Sequence, residues 1–293
     1  MDKSVMNLES LEKVMMEGMR LSREKTVSKF GIAKALPDKD ESNPASQAVT
    51  EIDLYNQEIF LEHLFRKFPN VEISVEERVD NPTGVQERFY SNGGKSNLCV
   101  TLDALDGSYS YKHGIRNDYG IIGSVIKRKE GQIGEFISGI MYFPTDDFFF
   151  LANNKGLFEI KGDNKTKLEK KGIINNKRQE YSAVFAHEPK RLGVEAGMYI
   201  RDIYSINQML LQLVKGEIPG FLTSNGHVYD HLVGPWMASK WGADVSYASR
   251  EPFDSVPFGD KLIDGKRKPP RDNRGLLIVG DKNHLMFNEY MRK

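Results

Sequence analysis

"TLDALDGSYSYKHG", residues Thr101 to Gly114, follows a mostly apolar run, 98–102, that reads as a buried strand. It sets two aspartates, Asp103 and Asp106, three residues apart and follows them with Gly107 and Ser108. Carboxylates this close repel unless a proton or a metal ion lies between them. The spacing predicts a sharp turn after Asp103 on which both carboxylates and the carbonyl between them converge. Oxygen-only ligands favour hard cations such as Mg²⁺, Mn²⁺ or Ca²⁺. A plain Asp-Gly turn explains the same letters without an ion. Gly107 and Ser108 read as the start of a short helix. Its N–H groups would suit a phosphate, or Ser108 would serve only as the N-cap.

Outward from this stretch, the chain has 293 residues, enough for one large domain or two small ones. Lys+Arg and Asp+Glu both number 41, and a formally neutral chain argues against broad binding to nucleic acid polymers or anionic membranes. The single cysteine, Cys99, sits in an apolar strand pattern, so a buried thiol and a reducing, cytoplasmic setting are expected. No run approaches the ~20 apolar residues of a membrane span.

Residues 5–30 predict an amphipathic helix, with Leu8, Leu11, Val14, Met15 and Met19 near helical spacing. Residues 36–47 read as a loop and 49–69 as a second helix stopped by Pro69. Strands are predicted over 71–75, 98–102, 119–127, 136–143, 147–151 and 156–161, with a hairpin turn at 161–165. Strand-helix alternation follows: strands at "YSAVFA", "GFLTS" and "GLLIVG", and helices at "DIYSINQMLLQLVKGE", "YDHLVGPWMASKWG" and the C-terminal end. Residues 250–274, with four prolines and many charges, read as a long loop. Antiparallel-looking strands first and strand-helix units later predict an α+β half joined to an α/β half. We place a soft boundary between 1–180 and 181–293 within one compact unit.

Four further acids stand near predicted element ends. Asp53 follows Thr50 at capping-box distance, Glu76 and Glu77 follow "VEISV", and Asp230 precedes a helix. Helix capping and exposed loop acids account for each singly. Other patterns fail: there is no HExxH, no EF-hand glutamate, no GxSxG elbow, and "SNGGKS" lacks the first glycine of a phosphate loop.

Taken together and in order, "VTEID", "SVEE", "DALDGS" and the late "YD" resemble the inositol monophosphatase-like superfamily of Mg-dependent, lithium-sensitive phosphatases, across nearly the whole chain. The resemblance implies a layered αβαβα sandwich, commonly a homodimer, and two or three Mg²⁺ ions, with Mn²⁺ as a substitute. It implies that Glu76, Asp103 and the Leu105 carbonyl hold one ion and that Asp103, Asp106 and Asp230 hold another. The N–H groups of Gly107 and Ser108 would grip phosphate. Ser108 with Asp53 would orient and deprotonate the attacking water, Glu76 would share in the catalytic work, and Glu77 would support the site from behind.

The sequence departs from the family pattern at several positions. Ala104 stands for the usual proline, Ser108 for threonine, and Tyr229 for tryptophan. Thr223 stands for the glutamate by which inositol-cleaving members hold sugar hydroxyls, seven residues before Asp230, and "DIYSINQ" replaces a stretch of small residues. These changes count against inositol phosphate as the substrate. Candidate substrate contacts are Thr223, Ser205, Asn207 and His187, with Tyr204, Ser224 and Asn225 nearby. The basic loop residues Arg250, Lys266, Arg267, Lys268 and Arg271 would suit a second phosphate. The expected activity is hydrolysis of a small phosphomonoester (an inositol phosphate, a sugar phosphate or bisphosphate, or a 3′-phosphonucleotide) by metal-activated water. The alternative is a non-catalytic member of the same fold that binds a phosphorylated ligand.

Overall fold

A computed structural model of the chain describes residues 7–36, 49–77, 97–115, 119–130, 133–170, 180–183, 199–202, 205–223, 229–247, 253, 256–257, 261–263, 266–268 and 277–280. Leu11, Met15 and Met19 recur at helical spacing, and α1 (Leu8–Leu21) buries all three. The predicted helix over 5–30 is in fact two. The Ser22 hydroxyl donates to the Met19 carbonyl at 2.9 Å, competing with the helix ladder, and α2 (Arg23–Ser28) restarts beyond it. Helix α3 (Glu51–Lys67) starts from the Thr50 cap and ends where Pro69 bars its predecessor from helical angles.

The first half builds one large mixed sheet. Its strands are β1 (Glu72–Val75), β2 (Leu98–Asp106), β3 (Gly120–Glu130), β4 (Ile133–Phe143), β5 (Phe148–Asn153), β6 (Gly156–Lys161) and β7 (Asn164–Lys167), in that order across the sheet. All neighbours pair antiparallel except β1, which runs parallel to β2, so the wholly antiparallel impression of this half needs correction. The predicted hairpin turn joins β6 to β7 through Gly162, whose φ of 58° is left-handed.

Alternation sorts the strand side chains onto two faces. Ile121, Val125, Ile140, Tyr142, Phe149 and Leu151 pack with α1 and α3. Ile122, Ile126, Met141, Phe143, Phe148 and Phe150 face the opposite way, toward α5 (Ile206–Lys215) and α6 (Val233–Trp241). Each such fully buried side chain contributes about 2 kcal/mol of hydrophobic stabilisation.

The same helices cover a second sheet of β8 (Glu180–Ala183), β9 (Tyr199–Asp202), β10 (Gly220–Thr223), β11 (Asp244–Tyr247) and a last strand, Leu277–Gly280, in the order β11, last strand, β10, β8, β9. The result is a layered α+β fold: helices, sheet, helices, sheet. The fifth, helical layer that the resemblance implies is not seen among the described residues, and the predicted C-terminal helix falls outside them. Gly242, at φ 104°, closes α6 as its sequence suggests.

The loop expected over 250–274 is not wholly irregular. Strand β12 (Val256–Pro257) pairs with Ile133 and Gly134, which lie beyond the reach of β5 along β4. Strands β13 (Lys261–Ile263) and β14 (Lys266–Lys268) form a hairpin, and the last strand is therefore β15. Pro257 is tolerated because it sits at the end of an edge pairing. Among the described residues no helix is long and apolar enough to cross a membrane.

Candidate active site

The sharp turn predicted after Asp103 is not what the chain does. Strand β2 runs on to Asp106, and a bulge does the work instead. Residues three apart on a regular strand point to opposite faces. Here Asp103 opposes Ile122 and Asp106 opposes Gly120, so three steps on β2 match two on β3. The extra residue returns both aspartates to one face, the face that also carries Ile122 and looks toward α5 and α6. The turn follows at Gly107, whose φ of 86° is left-handed, and α4 (Ser108–Lys112) begins there. Gly107 is the N-cap and Ser108 the first helical residue, so the N-cap reading of Ser108 is set aside.

The Ser108 hydroxyl lies 2.5 Å from Asp53 Oδ1 and 2.6 Å from the Leu105 carbonyl oxygen. It has one proton and so donates to one of them at a time. Asp53 is held from the other side. Its Oδ2 accepts the Thr50 N–H at 2.7 Å and the Thr50 hydroxyl at 2.6 Å, while Thr50 Oγ1 accepts the Ile52 N–H. The capping box therefore fixes one oxygen of Asp53 and leaves the other for Ser108. Burial pushes the Asp53 carboxyl up to about 6, against the lowering effect of the Ser108 and Thr50 donors.

Asp106 anchors the second half of the chain. Its Oδ2 accepts the Ser205 hydroxyl at 2.6 Å and the Asn207 N–H at 2.9 Å, and its Oδ1 accepts the Ile206 N–H at 3.2 Å. An anion at the N-terminus of α5 is favoured by the helix dipole and satisfies orphan N–H groups. Burial nonetheless raises its carboxyl to about 7, opposed by those donors, with the Asp230 charge adding to the rise. The close approach needs Gly120. A Cβ there would lie 1.6 Å from Asn207 Nδ2 and 2.7 Å from the Tyr142 carbonyl oxygen. Gly120→Ala should therefore destabilise the fold by about 3 kcal/mol, measured by urea denaturation, and loosen α5 from Asp106.

Two polar residues of α3, unremarked in the sequence, brace the loops that carry the acids. Asn56 Nδ2 donates to the Ala104 carbonyl at 3.0 Å, inside the bulge, and Asn56 Oδ1 accepts from Thr26. Gln57 Nε2 donates to the Glu77 carbonyl at 2.7 Å, and Gln57 Oε1 accepts the Glu77 N–H at 3.1 Å. The clue available was their place between Ile52 and Phe60, on the face that helical spacing buries. Glu77 is thus clamped through its backbone, and the N–H of Glu76 donates to the Leu102 carbonyl beside Asp103.

Asp103 sits at the electrostatic centre. Its Oδ1 accepts the Leu105 N–H at 3.0 Å. Burial raises its carboxyl well above the usual range, and the charges of Glu76 and Asp106, a hydrogen bond with Glu76 and the charge of Asp230 raise it further. Buried Tyr229, in the place where the resemblance expects tryptophan, feels Glu76, Asp230, Glu77 and Asp103; burial first and then those charges push its hydroxyl far up. Asp230 lies in the turn before α6, whose N-cap is Leu232, so it does not cap the helix. Its carboxylate lies against the backbone N–H and the ring of His231.

Among the described residues no three acidic, histidine or cysteine side chains form a ready-made metal cage. Asp106 and Asp230 are held by protein donors, and Asp103 by Leu105 and Glu76. Ser205, Asn207 and Thr223 are buried; Ser205 and Asn207 bind Asp106, and Asn207 also reaches the Tyr142 carbonyl. His187, Tyr204, Ser224, Asn225, Arg250 and Arg271 lie outside the described residues.

The model of the inositol monophosphatase family matches residues 7–268. The chain belongs to the inositol monophosphatase family. Members of this family are metal-dependent phosphatases, and this chain is an enzyme of that class. Inositol monophosphatase-type structures share its fold at low identity. The extragenic suppressor protein SuhB of Bartonella henselae is 18% identical, with a TM-score of 0.68 over 97% of this chain and 99% of its own. The IMPase of Thermotoga maritima is 17% identical, with a TM-score of 0.67 over 94% of this chain and 93% of its own. An IMPase/NADP phosphatase solved with Mg²⁺ and phosphate is 14% identical, with a TM-score of 0.67 over 97% of this chain and 95% of its own. Among curated proteins no significant match exists.

The residues present fit a hard divalent cation. Every candidate donor is an oxygen, and the mutual repulsion that raises Asp103 is what a dication would relieve.

Proposed function

We propose that this family member is a Mg²⁺-dependent phosphomonoesterase that hydrolyses a small phosphorylated metabolite by direct attack of water. One observation carries the reading: buried Asp103 feels the charges of Glu76, Asp106 and Asp230, beside the Ser108–Asp53 pair, whose Asp53 also feels Glu76. Glu76, Asp103, Asp106, Asp230 and the Leu105 carbonyl would hold two or three ions. Mg²⁺, when bound, would clamp the phosphoryl oxygens, acidify water and neutralise the leaving oxygen.

The chain's own groups do the rest. Asp53, fixed by Thr50, accepts through Ser108 the proton of the attacking water. The N–H groups of Gly107 and Ser108, at the start of α4, would grip the phosphate oxygens. Glu77, clamped by Gln57, holds the β1 end in place. Both halves of the chain contribute, since Asp106 comes from 1–180 and its Ser205 anchor from 181–293. A protein that only bound its ligand would not need the Ser108–Asp53 proton path.

Thr223 is buried with its hydroxyl unpartnered, and no carboxylate stands there to take sugar hydroxyls. This supports a sugar bisphosphate or 3′-phosphonucleotide over an inositol phosphate. We further propose a cytoplasmic homodimer inhibited by lithium. The test is phosphate release from a panel of inositol, sugar and nucleotide phosphates. Turnover should require Mg²⁺ or Mn²⁺, fall to background with chelator and be inhibited by lithium. Release that continues unchanged in chelator would overturn the proposal.

A further inference from the structure

We infer that His231 is a positioning residue that orients the Asp230 carboxylate for a divalent cation; this rests on the metal reading of Asp230 above. Asp230 lies in the turn 229–232, where its own carbonyl accepts the Val233 N–H at 3.1 Å. The backbone is therefore fixed by the turn, but the helix start does not hold the side chain, because α6 takes Leu232 as its N-cap. Residue 231 holds it instead. The His231 N–H donates to Asp230 Oδ1, and His231 Nε2 stands 3.1 Å from Asp230 Oδ2.

Both carboxylate oxygens are thus tied to one neighbour, which fixes the plane of the group. The side chains of the pair are only 11% and 14% exposed, so solvent competes weakly and the imidazole cannot swing freely. With Nε2 protonated, the ring donates to Oδ2 and holds that oxygen in place, so its contribution is orientation of the ligand. Hydrogen-bonded supports of this kind behind ligating groups are worth about 10- to 100-fold in metal affinity.

The test uses the whole protein and Mn²⁺ alone, with binding read by electron paramagnetic resonance and chelated stability by thermal melting. His231→Ala and His231→Leu, which lack the donor, should raise the Mn²⁺ Kd about tenfold. His231→Gln, whose amide can place an N–H near the Nε2 position, should restore the Kd to within about threefold of wild type. A purely packing role would instead move the melting temperatures of the chelated variants while all bound Mn²⁺ as the wild type does, and that result would overturn the inference. Wild-type protein that takes up no Mn²⁺ would overturn the metal reading itself, and the inference with it.

Discussion

Asp103→Asn should lower Mg²⁺-dependent turnover about a thousandfold. Losing the central ligand removes several kcal/mol of transition-state stabilisation, and each ~1.4 kcal/mol is tenfold in rate. The fold should survive. Asparagine keeps an oxygen to accept the Leu105 N–H, and its amide can donate toward Glu76. The variant also removes a potential charge from a buried, mutually repelling set of acids. Without metal it should therefore melt no lower than the wild type. Added Mg²⁺, which should raise the wild-type melting temperature by ligand linkage, should leave the variant unchanged. Steady-state kinetics and thermal melts with and without chelator check both halves of the expectation. A metal-free variant that melts several degrees lower would mean that Asp103 is chiefly a structural residue.

Ser108→Ala should lower kcat by about 10²- to 10³-fold with a much smaller change in KM, as expected for loss of a proton-transfer partner. The serine is the better probe because Asp53 has a second job. Asp53→Asn would also weaken the capping box of α3, at a cost of about 1 kcal/mol. The two residues form one path through the 2.5 Å contact, so their effects should not add. The double variant Asp53→Asn, Ser108→Ala should turn over no more slowly than the worse single variant, within about threefold. Additive losses in kcat would show that the two act separately.

What was legible in the sequence was what is local or periodic. The spacing of Leu11, Met15 and Met19 marks the buried face of α1, and the Thr50–Asp53 capping box marks the start of α3. Alternation in β3 to β5 marks a sheet buried on both faces. The acids were found because their order along the chain is distinctive. Less visible was how they meet. Whether Asp103 and Asp106 share a face depends on a bulge against β3, which is a property of the pairing and not of the letters. The bond from Asp106 to Ser205 spans 99 residues, and nothing local at either end announces it. Asn56 and Gln57 read as ordinary helix residues until the loops they brace are placed. Strand β12 was masked by its proline, because an edge pairing excuses what a central strand forbids.

The most direct test is a crystal structure of the protein grown with Mn²⁺, located by its anomalous scattering. The account predicts ions bridging Glu76, Asp103, Asp106 and Asp230, with the Leu105 carbonyl in the same coordination sphere and the Ser108 hydroxyl facing them. Active protein whose Mn²⁺ lay elsewhere, with these four carboxylates still bonded only to protein donors, would contradict it.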